Sequence, residues 1–147
     1  MENIFNICNY IIKSENNKGR AVTNLRLQKL LYFIQAYSLK ALDAPCFAES
    51  IEAWQYGPVV PSVYSAYKFY GSIGISIAPE IDIESLICSS GVRKVIDTIL
   101  QDAENMSTGE LINITHSQRP WIDAFQNGYG RGNCITIKAI RKEFCED

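Results

Sequence analysis

The chain has 147 residues, enough for one domain whose single core buries about two-thirds of the unfolded surface. Apolar residues make up 47% and charged residues 20%, the balance of an ordinary globular protein, which argues against wholesale disorder. The net charge of −2 argues against nucleic acid as the main ligand, because nucleic-acid binders usually carry a basic footprint.

The cysteines fit neither a disulfide framework nor a zinc site, because there are five of them and no pair has C-x-x-C spacing. No apolar run reaches the roughly 20 residues that would cross a bilayer. The N-terminus carries Glu2 and no basic region, so we expect no secretory signal. These features predict a cytoplasmic protein without a membrane anchor or a zinc site. We also expect no metal and no organic cofactor.

Two helices are predicted in the first third of the chain. Apolar residues at helical spacing predict a helix over about 2–14, and the polar residues 15–20 predict a loop. Thr23 is the predicted N-cap of a long second helix that continues to about Leu42.

The second helix has apolar residues on two nearly opposite sides, which is typical of a central helix surrounded by others. The two stripes are Leu27, Leu30, Leu31, Ile34, Tyr37, Ser38 and Ala41, and Leu25, Tyr32, Ala36 and Leu39. Only a narrow edge with Arg26, Lys29 and Lys40 is predicted to face solvent.

A strand, a turn and a helix are predicted in the next segment. Residues 51–54 favour a short strand, and Gly57 with Pro58 forces the chain to turn. Pro61 suits the first position of a helix that runs to Tyr70, with Val60, Val63, Tyr64 and Tyr67 buried.

The remaining elements give a mainly α fold. Residues 73–78 alternate weakly and are expected to pair with the first strand as a hairpin. Further helices are predicted over 91–105, 107–115 and 120–126, and from Thr136 onward, with a flexible loop over 127–133. We therefore expect one compact domain over 1–147, with five to seven helices around a central long helix and a two- or three-stranded β element.

Three motifs, in this order, carry a family resemblance: TNLRLQKLLYF at 23–33, EAWQYGPVVP at 52–61, and TH followed by PW at 115–116 and 120–121. Together they resemble the Panacea domain, the family of SocA-like antitoxins and phage-associated GepA-like proteins. The resemblance covers nearly the whole chain. It implies a mostly helical module. We expect structural roles for the motif residues Trp54, Gly57, Pro58, His116, Pro120 and Trp121.

The resemblance also implies a function. Members of the family act as antitoxins that neutralise a protein toxin encoded by the adjacent gene, usually by direct binding and in one style by delivery to a protease. The first alternative is a phage-associated interaction module without a toxin partner. The second is a small enzyme centred on His116.

His116 is the only histidine, and the sequence offers no obvious nucleophile or metal ligand beside it. A structural role, in which His116 binds a helix end and positions Trp121, is therefore favoured. We expect no enzymatic activity and assign no catalytic residue.

Candidate partner-binding residues come from the motif-rich region. Phe69 points away from the apolar stripe of its helix, and aromatic side chains on a polar face are typical anchors of protein interfaces. Tyr56 lies in the Gly-Pro turn. The edge with Arg26 and Lys29 is a candidate flank for an acidic partner surface.

Overall fold

The computed structural model describes residues 1–77 and 80–146. Within these ranges it contains seven α-helices and three short strands. The helices are α1 (Ile4–Asn17), α2 (Asn24–Leu42), α3 (Pro61–Tyr67), α4 (Ser90–Ala103), α5 (Thr108–His116), α6 (Arg119–Phe125) and α7 (Ile137–Phe144). The strands are β1 (Ile51–Trp54), β2 (Gly57–Val59) and β3 (Cys134–Ile135), and single 3-10 turns cover Lys68–Tyr70, Ile83–Ser85 and Gln126–Gly128. The mainly α fold with a small β element is as predicted.

Helix α2 is the centre of the molecule, as its two apolar stripes predict. It packs against α3, α4, α5, α7 and β2. The side chain of Thr23 caps it by accepting a hydrogen bond from the Arg26 amide, and the helix ends at Asp43 in a left-handed conformation. Ala41 departs from the prediction, because it is exposed together with the neighbouring Lys40 and Leu42 at the end of α2.

Helix α1 runs further than predicted and ends at Asn17 instead of Ser14. The difference is explained by Glu15, for which a loop is predicted because the residues around it are polar. Its carboxylate is buried and forms an ion pair with Arg20, with 2.5 Å between Nε and Oε2. A buried charge with a good partner is tolerated inside a helix, so one more turn forms.

The three strands form one antiparallel sheet in the order β2-β1-β3. Trp54 lies opposite Gly57 in the β1–β2 hairpin, and Ile51 lies opposite Ile135 in β3. The predicted pairing of residues 73–78 with β1 is wrong for the described residues 73–77, because both sides of β1 are already occupied. Ile75 instead donates its amide hydrogen to Val22 O, and Ala78 lies outside the described residues.

The predicted flexible loop over 127–133 is a hydrogen-bonded turn that ends in β3. Gly130 donates its amide hydrogen to Phe125 O, and Gly132 donates to Ala53 O in β1, both at 2.8 Å. Ala53 in turn donates to Asn133 O. The turn therefore joins the end of α6 to the sheet, a long-range pairing that local sequence does not reveal.

Candidate functional site

Buried polar side chains of α2 hold the segment that contains β1, β2 and the start of α3. Gln28 accepts a hydrogen bond from the Val60 amide at 2.8 Å and donates one to Asn24, which itself donates to Tyr64 O at 3.1 Å. Gln35 accepts from the Cys46 amide and donates to Phe47 O. Because buried polar groups are costly without partners, these bonds fix the position of the segment.

Lys29 contradicts the prediction that it lies on a solvent-facing edge, because its side chain is completely buried. Strand β2 packs over it, and its Nζ donates a hydrogen bond to Pro58 O at 2.9 Å. Burial lowers the pKa of Lys29 to about 7. The residue supports the Gly-Pro turn from below and has no surface to offer a partner.

Gly57 permits this close packing. Its φ of +109° is a backbone conformation that residues with a Cβ rarely adopt. A Cβ at this position would also lie 2.8 Å from Thr115 Oγ1 and 2.9 Å from Lys29 Cε. The Tyr-Gly-Pro turn thus needs glycine both for its backbone and for its contact with α2 and α5.

His116 and Trp121 form one end of an aromatic stack behind β1. The His116 and Trp121 rings are 4.0 Å apart, and Trp121 stacks on Phe125 at 4.6 Å. Trp121 Nε1 donates to Trp54 O at 2.8 Å. Burial lowers the pKa of His116, and a hydrogen bond with the backbone of Gln55 opposes that shift. This arrangement fits the structural role that the sequence favours.

The surroundings of His116 and the distribution of possible metal ligands are relevant to enzymatic activity. His116 Nε2 is buried without a hydrogen-bond partner among the described residues, and the hydroxyl of the preceding residue, Thr115, donates to Ile112 O. No three His, Cys, Asp or Glu side chains in 1–77 and 80–146 are grouped as a metal site would require. Across the same residues, no helix combines the length and the apolar character that a membrane span needs.

The outer face of the hairpin borders a groove of about 910 Å³. Its walls include the rings of Trp54 and Tyr64, whose centroids are 5.0 Å apart in an edge-to-face arrangement. Trp54 Nε1 donates to Glu52 Oε1 at 3.0 Å. The lining also includes Thr23, Asn24, Leu25, Gln55, Tyr56, Val59, Lys68, Gly71, Ser72, Thr108, Arg131 and Gly132.

Exposed aromatic side chains lie at or near this groove. Tyr56 lines it and is 60% exposed, and Phe69 follows the lining residue Lys68 and is 92% exposed. The exposure of Phe69 that its helical position predicts is therefore confirmed. Tyr129, for which no sequence pattern predicts a contact role, is also almost fully exposed, in the turn that precedes the lining residue Arg131.

Comparison with known proteins decides the family. Residues 27–122 match the family described as antitoxin SocA-like, Panacea domain. The chain belongs to this family. It is 34% identical over 136 residues to Antitoxin SocA of Caulobacter vibrioides (strain NA1000 / CB15N), covering 84% of this chain and 72% of that protein. These matches support an antitoxin role, and no solved structure matches.

The region that matches the Panacea family contains the whole β1–β2 hairpin. It also contains most residues of the groove lining and of the aromatic stack. Pro120 and Trp121 lie at the end of the matched region, and Pro120 is buried in the first turn of α6. Pro58 is buried in β2. The partner-binding roles of Arg26, Tyr56 and Phe69 are tested neither by the family match nor by the structure, whereas the buried Lys29 offers a partner no surface.

Arg26 is less exposed than predicted and forms hydrogen bonds to another element. Its guanidinium donates to Ala103 O at 2.9 Å and to Met106 O at 2.8 Å, which joins α2 to the end of α4. Its half-buried position lowers its pKa through desolvation. The prediction of a freely solvated edge is wrong here too, because the end of α4 covers this side of α2.

The sequence does contain a signal for the buried polar network. Asn24, Gln28, Gln35 and Ser38 recur at helical spacing, and all four are buried on α2. A polar stripe between two apolar stripes predicts a helix that satisfies the backbone of an irregular neighbour. No comparable signal points to Lys68 or Arg131, which the groove brings together from distant parts of the chain.

Proposed function

We propose that this protein is the antitoxin of a toxin–antitoxin pair and neutralises its toxin by direct, stoichiometric binding. The toxin would be the product of the adjacent gene, and the complex would act in the cytoplasm. The protein acts as a binding module and not as an enzyme. Membership of the antitoxin SocA-like family supports the antitoxin role, and the groove with its exposed rings supports the binding mode.

The observation that carries the binding mode is the position of Tyr56. Its side chain is 60% exposed at the mouth of the groove, in the turn next to the tightly packed Gly57. Aromatic rings in such positions are frequent binding hot spots. Phe69 is the second proposed anchor, and the exposed part of Arg26 is a flank.

The buried network beneath the hairpin favours binding as well. Two hydrogen bonds hold this segment before any partner arrives: the Val60 amide donates to Gln28, and Lys29 donates to Pro58 O. A preorganised surface loses less conformational entropy on association than a mobile loop does. The proposed site is therefore a rigid surface. In the proposed mechanism, this surface covers the active surface of the toxin.

The test is a titration of the purified antitoxin against the product of the adjacent gene. We expect protection that ends at a fixed molar ratio, and a complex that survives size-exclusion chromatography and buries about 1,200 Å² or more. Tyr56→Ala and Phe69→Ala should each weaken binding by about 2 kcal/mol, which is about thirtyfold in Kd.

Leu42→Ala is the matched control, because Leu42 is a 40% exposed apolar residue at the other end of α2. It should leave the affinity for the toxin nearly unchanged. Protection at clearly substoichiometric amounts would contradict sequestration and point to delivery of the toxin to a protease, with recycling of the antitoxin. A chain that binds no toxin would point to the phage-associated interaction module.

A further inference from the structure

Arg131 is distinguished from the other arginines by its lack of a partner within the described part of the chain. Arg131 lines the groove and is exposed. The remaining arginines all donate to a carboxylate or a carbonyl: Arg20 to Glu15, Arg26 to Ala103 and Met106, Arg93 to Ile87, Arg119 to Asp123, and Arg141 to Asp43. The free guanidinium is thus located where the surface is concave.

Lys68 is a second cation of the same groove, and its amine has no partner among the described residues 1–77 and 80–146. It is exposed and follows the last residue of α3, whereas Arg131 precedes β3. Glu52 supplies the single carboxylate of the described lining, and its Oε1 already accepts a hydrogen bond from Trp54. The lining therefore carries two positive charges and one negative charge, although the whole chain has a net charge of −2.

We propose that the groove binds an acidic segment of the toxin, with Lys68 and Arg131 as the residues that select it. Carboxylates of the segment pair with the two cations, and an apolar side chain beside them packs on the rings of Trp54 and Tyr64. This inference rests on the proposed antitoxin function and names the chemistry of the partner surface. Charge complementarity of this kind accelerates association and rejects partners of the wrong charge.

The size of the groove fits a segment and not a whole domain. Its volume of about 910 Å³ holds a few side chains, near the upper end of the roughly 300–1,000 Å³ typical of ligand pockets. The groove floor is also firm, because Gly132 donates to Ala53 O and Asn24 donates to Tyr64 O. Both cations are therefore presented from elements tied to the sheet or to α2.

The experiment compares charge reversal at the groove with charge reversal elsewhere. The test variant is Lys68→Glu with Arg131→Glu, and the control is Lys40→Glu with Lys138→Glu, two exposed lysines outside the groove lining. Lys40 lies sixteen residues beyond the lining residue Asn24 on α2, about 24 Å along the helix. The net charge changes equally in the two variants, so general electrostatics are matched.

The affinity for the product of the adjacent gene is measured at two ionic strengths. We expect the groove variant to lose at least about tenfold in affinity at low salt, and the control to stay within about twofold. The affinity of the parent should fall as salt rises, because exposed charge pairs are screened. The groove variant should lack that dependence.

Hydrogen exchange of the complex identifies the segment on the toxin side. We expect protection of residues 52–56, 68–72 and 131–132 of this chain and of one toxin segment with negative net charge. A protected segment that is neutral or basic, or a groove variant that binds as tightly as the parent, would overturn this inference and leave the antitoxin function intact. Absence of any complex with the parent would overturn both.

A nucleic acid is the competing source of anionic groups. A 20-base-pair DNA duplex is therefore titrated against the parent and the groove variant. Binding of the duplex by the parent that is lost in the groove variant, together with unchanged toxin affinity, would assign Lys68 and Arg131 to phosphate binding and overturn the proposal. No duplex binding by either protein is the expected result.

Discussion

The inner side of the β1–β2 hairpin is held by buried polar groups, whereas its outer side presents aromatic rings to solvent. On the inner side, Lys29 and Gln28 bind Pro58 and Val60. On the outer side, Tyr56 is 60% exposed one residue before a glycine that has no room for a Cβ. One short motif thus contains both structural residues and candidate contact residues, and only the direction of each side chain separates them.

Within the hairpin, the largest loss of stability is expected from Gly57→Val, which changes the inner side. Positive φ disfavours a β-branched residue, and the new side chain would overlap Thr115 and Lys29. Strain and overpacking together should lower the free energy of unfolding by about 3 kcal/mol or more. Chemical denaturation of the purified variants measures this change.

Gly19→Val is the matched control for Gly57→Val. Gly19 also has a positive φ, but a Cβ added there would meet no other atom within 4 Å. It should show the backbone strain alone, about 1–2 kcal/mol. Equal losses in the two variants would mean that the contact of Gly57 with α2 and α5 contributes nothing to stability.

Lys29→Met tests the buried amine through pH. The pKa of Lys29 is about 7 in the folded protein and ordinarily 10.5, so between these values the unfolded chain holds a proton that the folded chain has released. The stability of the parent therefore rises with pH in this window, by up to about 1.4 kcal/mol per pH unit. The variant lacks this contribution.

The measurement is the difference in the free energy of unfolding between parent and Lys29→Met, taken from pH 7 to pH 8.5. We expect the difference to grow with pH in favour of the parent. The exposed Lys40→Met serves as the control and should give a flat difference. A flat difference for Lys29→Met as well would show that the amine titrates in the folded protein as it does in water.

His116→Gln tests whether the aromatic stack is structural. The substitution removes the ring that stacks on Trp121 but keeps hydrogen-bonding capacity. We expect a loss of about 1 kcal/mol in stability and full neutralisation of the toxin by the folded variant. A folded variant that still binds the toxin but no longer protects would support an enzyme centred on His116.

The smallest effect on stability is expected from Phe69→Ala on the outer side. The ring is 92% exposed, so the free energy of unfolding should change by no more than about 0.5 kcal/mol. Phe47→Ala provides the contrast, because Phe47 is 1% exposed and should cost about 3–5 kcal/mol. Unfolding of the Phe69 variant would place this ring in the core and leave the binding face unidentified.

Local patterns were sufficient to predict the presence and order of the helices, and the turn. Thr23 caps α2, as its position predicts, and Ser107 caps the helix predicted over 107–115. The Gly57–Pro58 turn is also where the sequence places it. These features depend on residues close in the chain, so the sequence alone carries them.

Features that depend on distant residues were missed. The burial of Lys29 requires Pro58, which lies on a different element, and β3 pairs with a strand more than 80 residues earlier. The groove likewise joins Lys68 to Arg131. Periodicity describes one helix at a time, and it cannot tell a solvated lysine from one that a strand covers.

The turn after α6 contains a constraint that its glycine-rich sequence hides. A Cβ on Gly130 would collide with the backbone oxygen of Ala124, whereas the neighbouring Tyr129 side chain is 95% exposed. In a library of random single variants, position 130 should therefore accept glycine alone, and position 129 should accept almost any residue. Two adjacent positions of one short turn would evolve at very different rates, and the faster one lies next to the groove that we propose as the binding site.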